Sequence, residues 1–175
     1  MIPLRRPESD TTRLRGVVDR PESVQSIIDG RVFYAYSSKG DGNTLADDAS
    51  IDIVITPPAD LAIGIGFVTR IGGDAEFKVF ENVTDVTGGT VFVPRNRNRA
   101  STNTARSGVI IQPTGVTTNG ILYEEIIIGG SGGNAAGATL QGDYAVIKAD
   151  TSYLFRLTNR SNQSRLAELF IQWVE

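Results

Sequence analysis

The segment Pro94-Arg95-Asn96-Arg97-Asn98-Arg99 sets three guanidinium groups at alternate positions, in a chain of net charge −3. Like charges this close repel unless an anion faces them. The segment therefore has the chemistry to bind carboxylates or phosphates through planar, bidentate hydrogen bonds. The same donors have an internal use, because arginines packed across the end of a β-sandwich and asparagines holding local turns would satisfy them equally well. The other chemically capable side chains are the carboxylates Asp47-Asp48, Asp52 and Glu124-Glu125. Adjacent acids in a strand point to opposite faces, and no base or nucleophile motif accompanies these. A calcium loop from Asp41-Gly42-Asn43 to Asp48 lacks the full set of oxygen ligands. Histidine and cysteine are absent, which removes the usual metal ligands, the commonest general base, thiol nucleophiles and disulfides together. The expectation is a protein that is not an enzyme, holds no metal or cofactor, and works by contact.

Length and composition narrow the contact. A chain of 175 residues buries a real core and is most simply one domain with an appendage. The acidic balance and few aromatics argue against a general nucleic-acid surface, although a local basic loop can touch a phosphate. No stretch approaches the roughly 18 uninterrupted apolar residues of a membrane helix, and the charged N-terminus has no signal-peptide core. A soluble protein made in the cytoplasm is expected.

Two regions differ in pattern. Residues 1–29 mix Arg5, Arg6, Arg13, Arg15 and Arg20 with Glu8, Asp10, Asp19, Glu22 and Asp29, and their apolar residues come only in small groups. Such a segment cannot build its own core, though Pro21 to Ile28 can form one or two helical turns. It reads either as a disordered tail or as an arm that orders on a partner. Residues 30–175 form the folded domain, where the dominant period is two: Ile51, Ile53 and Ile55 alternate with Asp52, Val54 and Thr56, and Leu61, Ile63, Ile65 and Phe67 alternate with Ala62, Gly64, Gly66 and Val68. These are strands with one side buried. Further strands are expected over 31–36, 75–81, 90–93, 108–112, 121–128, 144–148, 153–159 and 166–174. Turn signals such as Gly72-Gly73-Asp74, Thr87-Gly88-Gly89 and Asn159-Arg160-Ser161-Asn162 separate them. Roughly nine or ten strands without a core helix predict an all-β sandwich or small barrel, with residues 1–29 as an N-terminal arm.

Glycine is concentrated twice. The run Gly129-Gly130-Ser131-Gly132-Gly133-Asn134-Ala135-Ala136-Gly137 has almost no side chain to bury and reads as an exposed loop, or as backbone that another chain approaches closely. Gly64 and Gly66 share the face opposite Ile63 and Ile65. With no following helix they make no dinucleotide motif, and they mark close approach of a neighbour or a bulge.

The succession of Gly72-Gly73-Asp74-Ala75-Glu76-Phe77, Phe80-Glu81-Asn82-Val83-Thr84, the arginine-asparagine segment, the Gly129 loop and Lys148-Ala149-Asp150-Thr151-Ser152-Tyr153-Leu154-Phe155-Arg156-Leu157-Thr158-Asn159 resembles a family of small virion structural proteins of tailed bacteriophages. The resemblance spans about residues 60 to 175 and is most specific where the arginine-asparagine segment is followed by the glycine-rich loop. It implies a capsid decoration, or cement, protein: a jelly-roll-like β-sandwich with an extended N-terminal arm, on the outer surface of the head, that ties subunits of the major capsid protein together. On that implication the partner-binding residues are Arg5, Arg6, Arg13 and Arg15 of the arm with Arg95, Asn96, Arg97, Asn98 and Arg99. A homo-oligomer, dimer or trimer, is also expected, since exposed strands and a glycine-lined face are commonly hidden against copies of the same chain. The alternative is a tail or fibre module that contacts a receptor or carbohydrate. That module would need presented rings from Tyr34, Tyr36, Tyr123, Tyr144, Tyr153 or Trp173. Tyr153, Phe155 and Leu157 share one strand face, as do Leu169, Ile171 and Trp173, so most of the rings read as core.

Overall fold

The computed structural model describes residues 22–39, 43–117, 120–129, 138–141 and 145–175. Arg5, Arg6, Arg13, Arg15, Asp41, Tyr144 and residues 130–137 of the glycine-rich loop lie outside the described residues. The described chain opens with one helix, α1 (Glu22–Ile28), and continues in strands that pair antiparallel throughout. The all-β class expected from the period of two is the class found.

Two six-stranded sheets make the body. The first runs β11 (Ala138–Gln141), β3 (Ile63–Ile71), β14 (Ala167–Val174), β1 (Val32–Lys39) and β7 (Arg95–Asn96), with β12 (Ala145–Ile147) also on β3. The second runs β10 (Ile121–Ile128), β4 (Ala75–Glu81), β13 (Tyr153–Asn159), β2 (Ser50–Thr56), β8 (Gly108–Ile111) and β6 (Thr90–Val91). A separate pair, β5 (Thr84–Thr87) and β9 (Gly115–Thr117), forms a small flap. Pairing is nested, β1 lying beside β14 and β2 beside β13.

Alternation dictates what lies between the sheets. Phe33 and Ala35 of β1, Ile63, Ile65 and Phe67 of β3, and Leu169, Ile171 and Trp173 of β14 face Ile51, Ile53 and Ile55, Phe77 and Val79, and Tyr153, Phe155 and Leu157. All are buried, and each large side chain contributes about 1.5–3 kcal/mol of transfer free energy on leaving water. One expectation is corrected here. Val54 lies on the opposite side of β2 from Ile53, yet it is buried, because with Leu154 it packs beneath Val83, Val86 and Val116 at the flap. The second sheet is therefore covered on both faces at that end.

Four strands, β5, β7, β9 and β11, fall outside the ten predicted segments, being short and mostly polar. A pattern of two to four residues is too brief to show a period. The glycine turn before β6 is where expected: Gly88 and Gly89 take φ of 64° and 80°, and a Cβ on Gly89 would meet the Ile111 carbonyl oxygen at 2.8 Å. Strand β3 runs in unbroken register through Gly64 and Gly66, so they mark no bulge. Register shifts lie instead in β10, between Leu122 and Glu124, and in β5, between Thr84 and Thr87.

Charges on the second sheet pair with one another. Arg156 binds Asp52 across the strands through two hydrogen bonds of 2.8 and 2.7 Å. Lys78 bridges Glu76 and Glu125, and Arg160 bridges Asp48 and Glu76. At the end of the core, Glu81 accepts hydrogen bonds from Lys148 and from the buried Tyr153 hydroxyl. Lys148, then Tyr153, hold the Glu81 carboxyl below the usual range, and Lys78 with Arg160 does the same for Glu76 against the opposing effect of burial. A carboxylate whose pKa is depressed on folding stabilises the native state above its ordinary range and loses that contribution as pH falls through the depressed value. The melting temperature is therefore expected to fall between about pH 6 and about pH 3, and more gently in the Glu81→Gln variant. Superimposable pH profiles in thermal scans would contradict this.

Candidate functional site

Residues 90–99 cross the open side of the sandwich as a strap. The strap begins at the edge of the second sheet, where Thr90 and Val91 pair with Ile111 and Ile110 and the Phe92 N–H donates to the Val109 carbonyl at 2.9 Å. It ends at the edge of the first sheet, where Arg95 lies opposite Tyr34, Asn96 opposite Phe33, and the Arg97 N–H donates to the Val32 carbonyl at 2.9 Å. Extended backbone sends alternate side chains to opposite sides. Phe92, Pro94, Asn96 and Asn98 are accordingly half-buried, while Val91, Val93, Arg95, Arg97 and Arg99 are exposed.

The asparagines are the fastening. Asn96 donates from Nδ2 to the Gly30 carbonyl at 2.8 Å and to the Asn103 carbonyl at 3.2 Å, and its Oδ1 accepts the Asn98 N–H at 2.8 Å. Asn98 donates to the Ile28 carbonyl at 2.8 Å, and its Oδ1 accepts the Ala100 N–H at 3.0 Å. Of these three carbonyls, that of Ile28 belongs to the last residue of α1 and that of Gly30 to the turn that ends it. Gly30, at φ 67°, terminates that helix, and its N–H donates to the Ile27 carbonyl at 3.0 Å. Asn103 donates to the Asp29 and Gly30 carbonyls at 3.2 and 3.3 Å. Carbonyls that a helix end leaves without intrahelical donors thus anchor the strap.

The arginines have a different environment. Arg95 lays its guanidinium over the Tyr36 ring, 5.8 Å from the centroid, and Arg97 lies 5.7 Å over Phe170. Tyr36 and Phe170 are direct cross-strand neighbours on the outer face of the first sheet. Tyr34 stacks on Phe170 with centroids 5.6 Å apart, and Phe92 meets the Tyr36 ring edge-on at 5.7 Å. Among the described residues no acid pairs with Arg95, Arg97 or Arg99, in contrast to the ion-paired cations of the second sheet. Beside the strap lies an open cleft of about 780 Å³, lined by Pro94, Arg95, Arg99, Thr102, Asn103 and Thr104 among others.

Of the residues singled out from the sequence, Asn96 and Asn98 are turned to the body, and Arg95, Arg97 and Arg99 are presented together. Val91, at 77% exposure, and Val93, at 81%, extend the presented row, and Tyr36 and Phe170 support it. The alternation of arginine with asparagine was legible in the sequence; its continuity with Val91 and Val93 was not, because 90–93 reads there as a strand apart from the segment that follows. The rings beneath the cations were not, because their partners lie on distant strands. The rings available to a carbohydrate are few: Trp173 and Tyr153 are core, and Arg95 covers Tyr36. Asp52, Asp48 and Glu125 are engaged by Arg156, Arg160 and Lys78, and Asp47 accepts the Asn162 N–H. No protein-family model, curated protein or solved structure matches the chain.

The two residue types of the strap predict opposite phenotypes. Asn96→Ala removes half-buried hydrogen bonds to two carbonyls and an N–H and is expected to cost about 1–3 kcal/mol in urea denaturation. Arg97→Ala loses an exposed cation–π contact and is expected to cost at most about 1 kcal/mol. The reverse order would make the arginines the brace.

Proposed function

We propose that the protein is a non-enzymatic structural component of a tailed-phage particle, of the capsid decoration or cement type, seated on the outer surface of the head and tying subunits of the major capsid protein together. The observation that carries this reading is the strap, in which the asparagines take up the bracing and leave three exposed cations with no acidic partner among the described residues, beside two exposed valines. Guanidinium groups fixed at their base pair with acidic surface groups and give orientation as well as affinity. The nested strand order is read as jelly-roll-like. The arginine-rich sequence ahead of α1 suits a second set of contacts for a clamp, with Arg5, Arg6, Arg13 and Arg15 as the residues proposed to make them.

Replacing Arg95, Arg97 and Arg99 together by alanine is expected to weaken attachment to undecorated heads at least tenfold while leaving the melting temperature within a few degrees of the parent. The attachment that remains should depend less on salt. Deleting residues 1–21 is expected to weaken attachment too, with the β domain intact, since that cut spares the helix whose carbonyls hold Asn96, Asn98 and Asn103. Heads decorated by both variants as fully as by the parent across a salt titration would refute the clamp. Image reconstruction of the particle separates head from tail placement.

Self-association is proposed through β10. It forms one edge of the second sheet and exposes Ile121, Leu122, Tyr123 and Ile127, the last at 80%. An apolar edge with unpaired backbone groups is a ready template for a second copy. Ile127→Lys is expected to shift a dimer or trimer toward monomer in light scattering, whereas a parent that is already monomeric at micromolar concentration would exclude this contact.

A further inference from the structure

The outer face of the first sheet gives the strap's arginines a property that exposure alone does not. A guanidinium over an aromatic face is attracted to the ring without giving up its charge, and its N–H donors remain available to a ligand. Arg95 and Arg97 are both placed in this way, on the cross-strand neighbours Tyr36 and Phe170. The two rings are themselves fixed, Tyr36 by Phe92 and Phe170 by Tyr34. Ordering two long side chains in advance removes much of the entropy that binding would otherwise cost, and an aromatic floor displaces water from one side of each hydrogen bond. Arg95 lies in β7 and Arg97 directly beyond its end, so the two leave the strap from alternate positions.

We infer that Arg95 and Arg97, on the floor of Tyr36 and Phe170, form a receptor for an extended acidic segment of a partner protein whose carboxylates stand at alternate positions. The inference rests on the partner-contact reading and names the partner's chemistry. Carboxylates at alternate positions of an extended segment stand on one side of it, about 6.5 Å apart along the backbone, and so suit two guanidiniums that leave the strap from alternate positions and lie over neighbouring rings. Val91 and Val93 extend the same presented row and offer an apolar continuation, which suits aliphatic side chains next to the acids. A nucleic-acid strand fits less well. Its bases would need bare aromatic faces, Arg95 and Arg97 occupy those of Tyr36 and Phe170, and the chain's net charge of −3 repels a polyanion.

The test uses the full chain labelled with ¹⁵N and follows the arginine Nε–H resonances during titration. The probes are a peptide with alternating Glu and Val, a peptide of the same composition with its glutamates contiguous, an oligothymidylate and inorganic phosphate. The alternating peptide is expected to shift the Arg95 and Arg97 signals and to bind several-fold tighter than the contiguous one. Phe170→Leu, which keeps both arginines but removes one ring, is expected to reduce that preference several-fold without unfolding the protein, as judged by its amide spectrum. Tighter binding of oligothymidylate or phosphate, equal binding of the two peptides, or an unchanged preference in Phe170→Leu would overturn the inference. If heads are held through these arginines while the alternating peptide does not bind, the acidic-segment receptor fails and the clamp stands. If the alternating peptide binds and the triple alanine variant decorates heads like the parent, the clamp fails and the receptor stands.

Discussion

Phe67 of the first sheet meets Phe77 of the second with ring centroids 4.3 Å apart, and Phe155 lies 6.4 Å from both. This contact between the sheets fixes which side of β3, β4 and β13 faces inward. Antiparallel pairing passes that decision from strand to strand, because slipping any register by one residue would turn its buried side chains to solvent. The outer positions follow by default. Tyr34 and Tyr36 stand outside because Phe33 and Ala35 stand inside, and Phe170 stands outside because Leu169 and Ile171 are core. The aromatic floor under the arginines is thus a consequence of core packing several strands away.

A sandwich leaves open flanks between its sheets, and on one flank the strap meets that need. It pairs with β8 of one sheet at its start and with β1 of the other at its end. A segment with this duty would be expected to hold inward-facing apolar residues throughout. Instead its inward side changes from Phe92 and Pro94 to Asn96 and Asn98 where it approaches α1. The change follows the partners available: the end of a helix offers carbonyls, and the amide side chain of asparagine donates to them while accepting nearby backbone N–H groups.

The long strands were legible because burial on one face imposes a period of two over seven or more residues, as in β2, β3, β13 and β14. Short strands such as β7 and β9 carry no such signal, and only their pairing partners define them. Val54 was misplaced for a related reason. Alternation locates the two faces of β2, but only the fold brings the β5–β9 flap over the second one. Within the site, residue types were readable and assignments were not. Arginine and asparagine supply the same kind of donor, and nothing local in the sequence says that Asn96 meets Gly30 while Arg97 meets Phe170.

The two sheets differ in how their outer charges are settled. On the second, Asp52 with Arg156, Glu76 with Lys78 and Arg160, and Glu125 with Lys78 sit on paired or adjacent strands, so each half-buried charge has an opposite one within reach. Among the described residues these charges are met within the face itself. On the first, Arg70 pairs with Glu168 toward β3, but the cations on β7 and beyond lie over rings instead of acids. A ring orients a guanidinium at modest energy and neutralises none of its charge, so the attraction for a carboxylate is retained. Had an aspartate stood where Tyr36 or Phe170 stands, the strap would be fastened at least as well and its capacity for a partner would be spent internally. The choice of aromatic over acidic neighbours separates a braced loop from a presented one, and it is why we place the proposed contact on the first sheet rather than on the more heavily charged second.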